Sequence, residues 1–432
     1  MSAVDSRALA SRRTAYVVVA AAAILPRLAV LLYERGTITT ANVDKGDDFA
    51  RTFLATGTYG FIPGHPSAYT QPLYGFFLVP LYWIFDRSWA TVGVAQIVVA
   101  TATALLVYEL GRREMSARVG LLAALLVTLE PYVVWHDVHM NREILDELLA
   151  VTLVLLTLML AERPTPVVGA AVGAVAGVAI LGNVRLLALP IVLAVFAVGY
   201  AGRAAVVPSV AVLLAALVVL LPWTIRNRAS VGCFTITTDA RALWKANNPA
   251  TLRTLENGGW IDDVPGIPGA PPSPQDASAT YERTGRVVDT NECAQMRFYR
   301  HRALAFMSDH PGEKARLAVV AARMLWQPSV TRTEGRRGRG TLLDTGRTWL
   351  EGAYAIALFV LAIAGAFLLP RRVVVLAVVL LAYVTLTATV FAGETRYRVP
   401  WDLLLAISAS AAVVDLATRF ESARRGPALA RE

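Results

Sequence analysis

Apolar residues fall in long blocks separated by short charged ones along most of the chain. The blocks cover roughly 14–33, 90–110, 117–136, 143–161, 166–183, 184–201, 205–222, 349–369, 372–391 and 400–418. Several approach or exceed the roughly 18 residues that mark a helix able to cross a bilayer. A helix bonds all of its own backbone, which lipid demands. The pattern predicts an all-α polytopic membrane protein with about ten transmembrane helices. One further apolar stretch, 71–86 (QPLYGFFLVPLYWIFD), is short and carries Pro72 and Pro80.

The charged blocks set the orientation. Cytoplasmic loops are enriched in Lys and Arg. If 71–86 does not cross and the N-terminus is cytoplasmic, the basic loops all fall inside. These carry Arg112, Arg113 and Arg118, then Arg163, Arg203, Arg371 and Arg372, and a tail with Arg419, Arg424 and Arg425. If 71–86 crosses, most of them move outside. It is therefore expected to be a juxtamembrane or re-entrant helix. The first apolar block follows Arg7, Arg12 and Arg13, contains Pro26 and Arg27, and lacks a small-residue cleavage site, so it reads as a retained span. The outer segments become 34–89, 137–142, 183–185, 223–348 and 392–399. The basic run Arg336, Arg337 and Arg339 then lies outside, in a loop long enough to be exempt from the charge rule.

Three regions follow. Residues 1–222 form an N-terminal transmembrane module with the loop 34–89, residues 223–348 an extracytoplasmic loop region, and residues 349–432 the last spans and tail. In the middle region, 265–278 (PGIPGAPPSPQDAS) reads as loop, while 294–309 and 312–326 read as amphipathic helices that could rest on the membrane surface. Gly169, Gly173 and Gly177 share one helix face and predict close helix packing.

Composition agrees. Of 432 residues 56% are hydrophobic and 17% charged, against about 25% charged in a soluble domain. The net charge of +9 sits largely in short loops, so it speaks for orientation and membrane lipids and not for nucleic acid. Cys233 and Cys293 both fall in 223–348. A disulfide is allowed there if the segment is extracytoplasmic; two partly buried thiols are the alternative.

Four polar clusters stand at membrane edges, where charge is expensive. Asp44, Asp47 and Asp48 follow the first span and are candidates for a general base or for oxygen ligands to a cation; a solvated acidic turn is the plain alternative. In 136–147 (HDVHMNREILDE), Arg142 and Glu143 enter a span with Asp146 and Glu147 one turn deeper. His136 and His139, with Asp47, are the candidate metal ligands; interfacial histidines are the plainer reading, and a divalent cation is left open as cofactor. Arg185 sits in an outer turn beside Asn183 and suits an anionic group. The turn 393–401 (GETRYRVPW) packs Glu394, Arg396, Tyr397 and Arg398 together. Carboxylates and arginines on one face suit a lipid-borne phosphate ester, but spacing alone does not separate a transferase from a transporter or flippase, or from a membrane scaffold.

Several stretches, spanning about 14–418, resemble the GT-C glycosyltransferases, in particular bacterial members of the protein O-mannosyltransferase and aminoarabinose-transferase family. They are the acidic motif after the first span, Gly57 to Phe61 with Pro72-Leu73-Tyr74, the run 105–131, Glu143, Pro222 to Asn227 with Gly232 to Phe234, Leu243 to Ala250, and Arg396 to Pro400. The spacing from Asp44 or Asp47 to Ala50 is compressed relative to the family. The resemblance implies a GT-C helical bundle with a juxtamembrane helix and an extracytoplasmic subdomain, and a glycosyltransferase using a polyprenyl-phosphate-sugar donor with a glycan, lipid or protein acceptor. It implies an active site on the outer face of the plasma (inner) membrane and inversion at the anomeric carbon. Asp44, Asp47 or Asp48 would be the base, and Glu143 a supporting or acceptor-side carboxylate. Arg142, Arg185, Arg226, Asn227, Asn248, Glu394, Arg396, Tyr397 and Arg398 would bind substrate.

Overall fold

The computed structural model describes residues 3–41, 43–328 and 341–424, with side chains from 12 onward and, in the last segment, from 346. Arg336, Arg337, Arg339 and Arg425 lie outside the described residues. Among the described residues every regular element is helical. The first ten helices are α1 (Ala3–Glu34), α2 (Lys45–Thr56), α3 (Pro72–Phe85), α4 (Trp89–Glu114), α5 (Ala117–Thr128), α6 (Pro131–His136), α7 (Glu143–Glu162), α8 (Pro166–Gly182), α9 (Leu189–Ala201) and α10 (Val206–Ser230). Seven stretches among the described residues are long and apolar enough to cross a membrane, and α3, α5 and α8 are shorter apolar helices.

Two expected spans differ in detail. Residues 117–136 are not one helix: α5 stops at Thr128 and α6 starts at Pro131. Proline has no N–H and pushes its predecessor away from helical angles, and Glu130 takes φ −55 and ψ 123. The stretch 184–201 opens with a 3-10 turn, Val184–Leu186, and becomes α-helical at Leu189, where Pro190 fills the first turn.

The polar ends of these helices collect at two places. At one, Arg12 pairs with Glu109 (2.9 Å), Arg112 with Glu109 (2.6 Å), and Arg372 with Glu114 (2.8 Å) and Glu162 (2.7 Å). At the other, the Asp44 amide donates to Met140 O, Arg185 to Ala392 O, Thr238 N to Ala68 O and Arg226 to Ser67 O. All five loop segments expected on one face therefore meet. Helix α3 begins and ends at this second place: Gln71 accepts from Arg142, and Arg87, just past its C-terminus, donates to Asp47 and to Thr39 O. Both ends of this 14-residue helix are thus tied to the same place.

Close approach fixes the packing. A Cβ on Gly173 would stand 2.1 Å from Val212 O, and one on Gly169 2.2 Å from Pro208 O, so α8 lies backbone to backbone on α10. The helix Pro311–Trp326 is not a free surface helix. Gly393 abuts its Ala321 carbonyl, and its Lys314 donates to Asn247 Oδ1 and Thr389 O, which pins the turn 393–401 beneath it. Cys233 and Cys293 are bridged, tying the end of α10 to the helix Glu292–Asp309.

Candidate active site

The three aspartates after α1 are separated by their surroundings. Asp44 is the N-cap of α2, its Oδ1 accepting from Gly46 N at 2.7 Å. Gly46 is tight here, since a Cβ would meet Gly75 N at 2.9 Å. Asp47 is 1% exposed. Its Oδ1 accepts from Tyr82 Oη (2.6 Å) and Arg87 Nε (2.8 Å), and its Oδ2 accepts from Arg87 Nη2 (2.9 Å). That carboxylate is occupied in holding α2 to α3. Asp48 is half-exposed beside Arg51 (3.7 Å), and burial followed by the Asp47 charge pushes its carboxyl up to about 6.

Asp44 faces the second cluster. Burial raises its carboxyl above the usual carboxylate range, the Arg142 charge and the Gly46 amide oppose this, and the Glu143 charge adds to it. Arg142 Nη1 donates to Gln71 Oε1 at 2.9 Å. Glu143 Oε1 stands 4.0 Å from Arg396 Nε, which pairs with Glu394 Oε2 at 2.6 Å. The Arg185 guanidinium lies 3.4 Å over the Tyr397 ring, and Arg396 lies 4.9 Å over the same ring. Asp44, Arg142, Glu143, Arg185, Glu394, Arg396 and Tyr397 thus form one continuous polar rim.

Behind Arg185 and Arg396 a slot runs inward between α7, α8 and the helix Arg371–Val390. It is lined by Asp146, Asn183, Leu149, Leu153, Val384 and Trp401 among others. Asp146 Oδ2 accepts from Asn183 Nδ2 at 3.1 Å, while its Oδ1 has no hydrogen-bond partner among the described residues. Two guanidinium groups at a polar mouth suit a phosphate, while the apolar slot behind them is closed down to about 20 Å³ and would have to widen to take a hydrocarbon chain. Asp146 and Asn183 are site residues that spacing did not single out as binding groups. The signal was Asp146 three positions after Glu143, one turn deeper on the same helix.

Other sequence candidates serve the fold here. Arg398 is 1% exposed, donates to both oxygens of Asp402 (3.1 Å each) and to Leu325 O, and so diverges from Arg396. Asn227 donates to Thr235 O, and Asn248 bridges Trp244 O and Ala250 N. Arg226 lies apart from Arg185 and Arg396, donating to Tyr59 O and Ser67 O. The proposed metal set does not assemble. Asp47 is held by Arg87 and Tyr82, His136 Nε2 meets Arg347, and His139 Nδ1 meets Trp135 O. No group of three His, Cys, Asp or Glu among the described residues is placed to hold a metal.

Residues 65–225 match the family model described as dolichyl-phosphate-mannose-protein mannosyltransferase. That range includes Arg142, Glu143, Asp146 and Arg185 and leaves out Asp44, Arg226 and Arg396. No curated protein matches the chain. Among solved structures, the apo oligosaccharyltransferase of Archaeoglobus fulgidus is 14% identical with a TM-score of 0.55, covering 95% of this chain and 51% of that one. The same enzyme tethered to an acceptor peptide containing the NVT sequon is 12% identical with a TM-score of 0.53, covering 95% and 50%. ArnT from Cupriavidus metallidurans in the apo state is 16% identical over 96% of this chain and 81% of that one, with a TM-score of 0.42. The chain spans about half the length of the oligosaccharyltransferase it matches. With its helices and its membrane-length apolar stretches, the chain has the helical fold shared with the Archaeoglobus fulgidus oligosaccharyltransferase.

Proposed function

We propose that the chain is an integral membrane glycosyltransferase that moves a sugar from a polyprenyl-phosphate-linked donor to an acceptor hydroxyl on the outer face of the plasma membrane. The family model and the shared fold support a membrane glycosyltransferase; the donor, the side and the chemistry are this reading's own. The observation that carries it is the convergence of Asp44, Arg142, Glu143, Arg185 and Arg396 on one rim above an apolar slot.

In this reading Asp44 is the base. It removes the acceptor proton as the acceptor oxygen bonds the anomeric carbon. The bond from that carbon to the phosphate oxygen breaks, and the lipid phosphate leaves with the electron pair. Arg185 and Arg396 stabilise the charge that grows on the phosphate. Attack opposite the leaving group inverts the anomeric centre. Glu143 and Arg142 hold the charge of Asp44 and Arg396 in register, and Asp47 keeps α2 in place.

Transfer from a radiolabelled polyprenyl-phosphate sugar tests this. Asp44→Asn is expected to lower kcat by about 10²–10⁴-fold, the usual contribution of a positioned base. Asp48→Asn is expected to stay within a few-fold of the parent. Full activity in Asp44→Asn would remove the mechanism.

A further inference from the structure

The helix Arg371–Val390 ends just before the turn that carries Arg396. The last carbonyls of an α-helix have no partners within it. Here they are satisfied from outside. Phe391 N donates to Thr387 O at 3.0 Å, and Phe391 then leaves helical geometry with φ −100 and ψ −81. Lys314 Nζ donates to Thr389 O at 2.6 Å, and Asn247 Nδ2 donates to Val390 O at 2.9 Å. The two capping side chains are also bonded to each other, Lys314 Nζ donating to Asn247 Oδ1 at 2.5 Å. Asn247 Nδ2 reaches back to Leu243 O at 2.8 Å. One cap comes from the segment after the helix Arg241–Lys245, the other from the helix Pro311–Trp326.

Asn247 is fully buried and Lys314 half-buried. No carboxylate among the described residues pairs with Lys314, and burial pushes its ammonium group below the usual lysine range. What faces that charge is the carbonyl end of a helix, where a cation is favoured.

The capped end sets the place of both arginines at the mouth of the slot. Arg185 is held to this helix and to the residues just after it. Tyr383 Oη donates to Arg185 O at 2.7 Å, and Arg185 Nη1 donates to Ala392 O at 3.3 Å. Its guanidinium also lies 5.5 Å from the Phe391 ring. Arg396 follows within the same turn and is steered by Glu394. Between Ala392 and Glu394 the chain cannot drift toward the helix Pro311–Trp326, because Gly393 already abuts Ala321 O. Neither Lys314 nor Asn247 lines the slot itself.

We propose that Lys314 and Asn247 are positioning residues for the donor phosphate: by capping this helix they fix where Arg185 and Arg396 meet the phosphate, and they couple that grip to the segment after α10. The proposal rests on the reading above of the Arg185–Arg396 mouth as the phosphate site of a glycosyltransferase. Two side chains from two separate elements, bonded to each other and to consecutive carbonyls, make one joint. Losing either frees a carbonyl one or two residues before the partner of Arg185.

The test uses the full chain in nanodiscs, with transfer from a polyprenyl-phosphate sugar and binding of polyprenyl phosphate alone measured side by side. Lys314→Met is expected to raise the donor KM and the Kd for polyprenyl phosphate about tenfold, the size of one lost charge-assisted hydrogen bond. The acceptor KM is expected to stay within twofold and kcat to fall less than the donor KM rises, since the lost interaction is made before the transition state. Asn247→Ala is expected to act in the same direction. Lys314→Gln keeps a donor and drops the charge, so it is expected to shift both constants about threefold, and it serves if Lys314→Met does not fold. A folded variant whose kcat or yield falls while donor KM and phosphate Kd stay at parental values would reduce the joint to a purely structural one and overturn the proposal. A parent chain that binds polyprenyl phosphate but transfers no sugar would sink the catalytic reading, while weaker binding by Lys314→Met would still support the positioning role.

Discussion

Asp44 works against its surroundings. Burial and the Glu143 charge hold its proton, while Arg142 and the Gly46 amide release it. The proposed base acts ionised, so the rate is expected to rise with pH through this raised pKa and to be lost as pH falls below it. The acid limb of kcat/KM is expected to stand above the ordinary carboxylate range. Glu143→Gln removes a charge that raises the pKa, so it should move the limb to lower pH. Arg142→Gln removes a charge that lowers it and should move the limb up. Asp48→Asn should leave the limb where it is; a limb that followed Asp48 would make Asp48 the base. None of this was legible in the spacing. Three carboxylates within five residues look alike until Tyr82 and Arg87, some forty positions on, take Asp47 out of the set. The same holds for Asn227 and Asn248, which read as polar groups near a rim but are consumed by nearby backbone.

Elements were far more legible, because hydrophobic blocks of membrane length have one outcome. What composition did not announce was the interruption at Glu130–Pro131. Ending α5 at Thr128 frees a carbonyl inside an apolar bundle, where it needs a partner. Arg27 provides it: Nη1 donates to Thr128 O at 2.9 Å, while Nε donates to Asp137 Oδ2 at 2.7 Å. Arg27 and Asp137 are 1% and 2% exposed, so the break and the buried ion pair form one device joining α1 to the α5–α6 corner. Arg27→Met leaves Asp137 unpaired, and the expected loss is about 3–5 kcal/mol, measured by thermal unfolding in detergent. Arg27→Met with Asp137→Leu should regain part of this, the carbonyl remaining unsatisfied. An Arg27→Met single variant as stable as the parent would show that the pair is dispensable. The glycine face of α8 was readable directly. A Cβ at Gly173 meets backbone, which cannot give way like a side chain, so Gly173→Val is expected to destabilise by at least about 1–3 kcal/mol.

For the molecule as a whole, the separation of its two polar ends decides whether the chemistry faces outward. One end holds Arg12, Arg112, Arg113 and Arg372 against Glu109, Glu114 and Glu162. The other holds Asp44, Arg142, Arg185 and Arg396 under the segment after α10. Short basic loops belong to the first end, which argues that it is cytoplasmic. The Cys233–Cys293 bridge belongs to the second, and disulfides persist in oxidising compartments. Charge and redox chemistry are independent, and both favour the proposed orientation. The two native cysteines pair with each other, so an added one can be read alone. Glu282 is exposed on the helix Pro274–Thr284 and its charge reaches Asp48; Arg163 is exposed just beyond α7 at the other end. In intact spheroplasts a membrane-impermeant maleimide is expected to label Glu282→Cys and to reach Arg163→Cys only after lysis. The reverse pattern would put Asp44 in the cytosol, where a donor presented at the outer face could not meet it, and the proposed reaction would fail whatever the geometry of its residues.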